Sequence, residues 1–86
     1  MNAYIIESYA PRLRARECRA AAERARAAGK ASGVRYVRSL FVPEDETCFH
    51  VLEGPSADAV VDVSRRAGIE AARIVAVTLD EEGESS

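Results

Sequence analysis

Few of the residues that usually announce chemistry are present. The 86-residue chain has one histidine, two cysteines, five glycines and three prolines. A single histidine excludes the two-imidazole HExxH helix of zinc proteases. Two cysteines far apart in sequence exclude a paired-cysteine zinc motif, and they are too few for a disulfide scaffold. The glycines are too scattered to cradle a phosphate, and no GxSxG elbow occurs. An excess of one charge is also missing. Twelve Lys and Arg face fourteen Asp and Glu, for a net charge of −2. Five of the twelve basic residues lie on one predicted helix, interleaved with Glu17 and Glu23, so nucleic acid is not expected as a partner. No apolar run approaches the roughly 20 residues of a membrane-spanning helix, and no membrane partner is expected. The opening Met1-Asn2-Ala3-Tyr4 carries no basic n-region and the thiols fit a reducing compartment, so a cytoplasmic location is expected.

What is present is ordinary for a globular protein: 48% hydrophobic and 30% charged residues. That length and composition predict a single domain over residues 1–80, followed by a disordered acidic tail over 81–86.

Periodicity divides the domain into six elements. Ala3 to Tyr9 is rich in aromatic and β-branched residues, reads as a strand and stops at Pro11. From Leu13 to Ala28 the period becomes helical, with Cys18, Ala21, Ala22, Ala25 and Ala28 on one stripe. This helix has a poor cap at Arg14, ends around Gly29 and Gly33, and must approach its sheet closely because the stripe is almost all alanine. Val34 to Val42 and Thr47 to Glu53 alternate with period two and form a hairpin around the solvated acidic turn Pro43-Glu44-Asp45-Glu46. Ser56 caps a second helix whose inner face is Ala57, Val60, Val61, Ser64 and Ala67, and Gly68-Ile69 ends it. Arg73 to Leu79 is the last strand. The order β-α-β-β-α-β with right-handed crossovers predicts an α+β, ferredoxin-like sandwich: a four-stranded antiparallel sheet in order 4-1-3-2 with two helices on one face.

Alternation then assigns the open sheet face. Putting Ile6, Val37, Ser39, Phe41, Phe49, Val51, Val75, Val77 and Leu79 inside turns Ile5, Glu7, Tyr9, Tyr36, Arg38, Leu40, Cys48, His50 and Leu52 outward, with Ile74, Ala76 and Thr78. His50, Cys48 and Glu7 become candidate metal ligands, and Tyr36 and Arg38 candidate ligand contacts. Ile5, Tyr9, Leu40 and Leu52 become a patch that a second copy of the chain would cover, making a homodimer. In this reading Cys18 is helix packing on the other side of the sheet, and a disulfide between Cys18 and Cys48 is not expected.

The segments YIIESY, VRYVRSLFVPEDETCFHVLEGPSADAV and RRAGIEAARIVAVTL, spanning Tyr4 to Leu79, resemble a family of small bacterial ferredoxin-like proteins. That family includes dimeric nickel-binding members, and much of it has no assigned function. The resemblance implies Ni(II) as a cofactor, although those members carry more histidine than this chain does. Three readings follow. The first is a small metal-binding homodimer using His50, Cys48 and Glu7. The second is a module enclosing a small apolar or aromatic ligand between paired sheets, with polar contacts from Tyr36, Arg38, Glu7 and His50. The third is a dimeric α+β barrel enzyme with His50 as acid or base oriented by Glu7. The resemblance puts metal binding first; no conventional enzyme signature is present.

Overall fold

The switches of period yield β1 (Asn2–Tyr9), α1 (Ala15–Ser32), β2 (Arg35–Val42), β3 (Thr47–Gly54), α2 (Ala57–Arg66) and β4 (Ala71–Val77). They are seen in a computed structural model that describes residues 2–9 and 15–78. Pro11, the helix start at Leu13, the cap at Arg14, the strand end at Leu79 and the tail over 81–86 lie outside the described residues. The strands pair antiparallel in the order β2-β3-β1-β4, which is the expected 4-1-3-2 order read from the opposite edge. The result is the ferredoxin-like α+β fold. Among the described residues, no helix is long and apolar enough to cross a membrane.

The helices carry their own start and stop signals. Residues Cys18, Ala22, Ala25 and Gly29 form the buried stripe of α1. Of the two glycines expected to end it, Gly33 is the stop, while Gly29 lies within the helix, which runs to Ser32. Gly33, at φ 70°, then takes the left-handed conformation while the Val34 N–H donates to the Gly29 carbonyl at 3.0 Å. Gly29 is required for packing: a Cβ there would run into the Val34 carbonyl oxygen. At the start of α2 the Ser56 hydroxyl accepts from the Ala59 N–H at 3.2 Å. The end of α2 is a Schellman turn at Gly68, with the Gly68 N–H on Arg65 and the Ile69 N–H on Ser64 at 3.1 and 3.0 Å. Its buried face is Val60, Val63, Ser64 and Ala67, so Val63 takes the place expected for Val61.

The core gathers Tyr4 and Ile6 of β1, Ala22 and Ala25 of α1, Val34, Tyr36, Leu52, and the inner residues of α2. This corrects the assignment of faces on three strands. On β1 the expectation holds: Ile6 is fully buried, and Glu7 and Tyr9 lie on the open side. The β1–β3 register pairs Ile6 with His50, Tyr4 with Leu52 and Ser8 with Cys48, which carries Cys48, His50 and Leu52 to the helix-covered face. Phe49 and Val51 pair with Glu7 and Ile5 and go to the open face. Both residue sets of β3 are largely apolar, so hydrophobicity could not choose between them. On β2 the register shifts between Tyr36 and Arg38. This bulge separates residues that unbroken alternation would keep together: Tyr36 is buried, while Arg38 and Leu40 are exposed. On β4, Ile74 pairs with Ile6 and packs on the core, leaving Val75 opposite Ile5.

Candidate functional site

The side of β3 that faces the helices carries two chemically active groups in succession. Cys48 and His50 are two residues apart on one strand, so both point the same way, and both are buried. Above them the first turns of α1 bring in Cys18, the first residue of its small-residue stripe. The two sulfurs are joined as a disulfide across a Cα–Cα separation of 5.9 Å, well inside the range a disulfide spans. The expectation of two unconnected cysteines on opposite sides of the sheet is therefore corrected. It failed because it rested on the wrong face for Cys48.

His50 is 1% exposed and has both ring nitrogens engaged. Its Nδ1 lies 2.5 Å from the Tyr36 hydroxyl, and its Nε2 lies 3.4 Å from Cys48 Sγ. Burial pushes its pKa down to about 4, and the positive charge of Arg24 adds to the effect. The imidazole is accordingly neutral at neutral pH. With Tyr36 donating to Nδ1, the ring proton sits on Nε2 and points at the sulfur. Burial likewise raises the Tyr36 pKa, opposed by a hydrogen bond with Ser39 and by the charge of Arg26. The Arg26 guanidinium lies 5.1 Å from the centre of the Tyr36 ring, within cation–π range. Among the described residues, no buried side-chain nitrogen or oxygen lacks a hydrogen-bond partner.

The ligating atoms of Cys18, Cys48 and His50 all lie within 4.8 Å of one another. Thiolate and imidazole are the donors that borderline and soft transition metals prefer. The expected carboxylate is absent from this group. Glu7 is on the other face of the sheet, where it accepts from Arg73 at 3.2 Å. Tyr36 and Arg38, expected side by side, are on opposite faces. Ile5, Tyr9 and Leu40 do share the open face, with Tyr9 53% and Leu40 51% exposed, but Leu52 is fully buried in the core.

The residue that sequence reasoning missed is Cys18. One signal pointed to it: a cysteine on the inner stripe of a helix must meet the covered face of the sheet. Beside the centre lies an open cleft of about 340 Å³, lined by Ser8, Tyr9, Glu17, Ala21, Arg24 and Glu70 among others. Ser8 is the cross-strand neighbour of Cys48, and Glu17 and Ala21 flank Cys18 on α1.

Among known proteins, the family described as nickel responsive protein SCO4226-like matches residues 4–77. The chain is also similar to SCO4226 from Streptomyces coelicolor A3(2), known from a crystal structure. The two share 26% sequence identity and superpose with a TM-score of 0.80, over 92% of this chain and 99% of that one. No curated protein sequence matches.

Proposed function

Since the chain belongs to the SCO4226-like family of nickel-responsive proteins, we propose that it is a small cytoplasmic protein binding a transition metal of the nickel class. In this reading Cys18, Cys48 and His50 hold the metal, and two copies pair through their open sheet faces. One observation carries the metal assignment: the only histidine and both cysteines of the whole chain converge on a single buried cluster.

The donor set fits such an ion in character. Two thiolates and an imidazole suit nickel, zinc or copper far better than magnesium or calcium. Tyr36, on the far nitrogen of the ring, is the kind of outer partner that fixes a ligating imidazole in place. Glu7, a candidate from the sequence, drops out of the set because the sheet lies between it and His50. The sulfurs can ligate only as thiolates, so the binding form is the reduced chain, which the cytoplasm favours. The pairing of two copies draws on a different feature, the exposed Tyr9 and Leu40 beside Ile5, Phe49 and Val75 on the open face.

Equilibrium dialysis of the untagged, reduced chain against Ni(II) tests the metal reading. One ion per chain is expected for the native sequence, and no tight binding for His50→Ala or Cys48→Ser. Unchanged uptake by His50→Ala would remove the assignment. The two readings built on Glu7 beside His50, an enclosed small-molecule site or an acid–base enzyme, lose the contact they needed.

A further inference from the structure

We propose that the Cys18–Cys48 disulfide is a redox gate on the metal centre: oxidised, the chain withholds both sulfurs from the metal, and reduction by a small thiol releases them. The inference rests on the metal reading above and adds to it the control of that same site.

The two states exclude each other by composition. These are the only two thiols in the chain, and when they are bonded to each other His50 is the only donor of the cluster left. A single imidazole is a weak site for any first-row metal. The two cysteines come from different elements, α1 and β3, and the 5.9 Å between their Cα atoms belongs to the folded chain itself. Closing or opening the bond therefore moves sulfur atoms and leaves the fold in place. Neither cysteine belongs to the main apolar cluster, whose fully buried members include Val60, Val63, Leu52 and Ile6.

The chemistry is thiol–disulfide exchange. The thiolate of a small reductant attacks one sulfur, the S–S bond breaks, and the other sulfur leaves as a thiolate. A second equivalent of reductant resolves the mixed disulfide. The chain gains two electrons and, on protonation, two protons; the two reductant molecules leave as their own disulfide. Where Cys48 is the leaving sulfur, the His50 Nε2–H, 3.4 Å away, is already placed to hydrogen-bond the thiolate. Access favours a small reductant over a protein. Cys18 and Cys48 are only 3% and 1% exposed, yet the cleft beside them is lined by Ser8, Glu17 and Ala21, the immediate neighbours of both.

The test uses the full chain in two preparations. One is oxidised by a small disulfide, the other reduced by dithiothreitol that is then removed under argon, and thiol alkylation counts the free cysteines in each. Each is titrated with Ni(II) alone, followed by calorimetry and by thiolate-to-nickel charge-transfer absorption. The reduced chain is expected to bind at least about 100-fold tighter, because oxidation removes two anionic donors. Re-oxidation should expel the ion. Cys18→Ser, which cannot form the bond, should bind Ni(II) less tightly than the reduced native chain, and with Cys48 shown by mass spectrometry to be uncapped its affinity should be the same before and after oxidant treatment. Equal affinity in both preparations would overturn the gate and leave the metal reading standing. Failure of both preparations to bind would overturn the gate and the metal reading together. Circular dichroism completes the test, since loss of the fold on reduction would make the disulfide a structural brace and no gate.

Discussion

His50 is a buried polar side chain whose every polar atom is accounted for, and this has a measurable consequence. Its pKa is about 4 in the fold, against 6.5 when unperturbed. Between those values the unfolded chain binds a proton that the folded chain refuses. The sign is therefore fixed: the contribution of His50 to stability is constant above pH 6.5, falls as pH drops towards 4, and levels off below it. The loss amounts to about 3 kcal/mol, taking about 1.4 kcal/mol per pKa unit. Urea unfolding of the native chain and of His50→Gln over this pH range measures it by difference, which cancels the carboxylates common to both. Parallel pH profiles would mean that His50 is not held neutral. At this scale the sequence was only half legible. Glu7 was correctly kept out of the core because a carboxylate against the helices is costly. His50 was turned outward because Phe49 and Val51 were given the inner positions of β3, whereas it is buried with partners, Tyr36 and Cys48, that no local pattern reveals.

The elements themselves were readable because each carries local signals: alternation in the strands, Ser56 at a helix start, Gly33 and Gly68 at helix ends. What local signals could not give was orientation. The bulge between Tyr36 and Arg38 is a feature of strand pairing, and it placed those two residues on opposite faces. The close seat of α1 was readable from its alanine stripe, and it yields a sharp expectation. Gly29→Ala improves helix propensity, yet places a methyl group against the Val34 carbonyl. Overpacking of this kind costs about 1–3 kcal/mol, more than the roughly 1 kcal/mol gained from propensity. Thermal unfolding of Gly29→Ala should show a lower midpoint than the native chain; a higher one would mean that α1 can lift away at no cost. Because α1 carries Cys18, such a lift would also misplace a donor of the proposed metal centre.

For the whole molecule, the topology followed from element order, and the family from the resemblance between Tyr4 and Leu79. The proposed pairing of two copies draws on the open sheet face. That face combines exposed Tyr9 and Leu40 with the Glu7–Arg73 ion pair, whose charges compensate each other if a second copy covers them. One patch used by both copies is the commonest way to close a dimer. Leu40→Arg places a charge on this face without touching the core, so it should convert a dimer to a single-chain mass in light scattering while leaving circular dichroism unchanged. A native chain that already scatters as a monomer at concentrations of tens of micromolar would exclude a stable interface there.

The convergence of Cys18, Cys48 and His50 is the feature on which the proposed role depends, and X-ray absorption at the nickel edge reads the bound atoms directly. For the reduced native chain loaded with one equivalent of Ni(II), the expected first shell contains two sulfur scatterers together with the outer-ring pattern of one imidazole. A shell made only of nitrogen and oxygen atoms, with no sulfur, would contradict the centre.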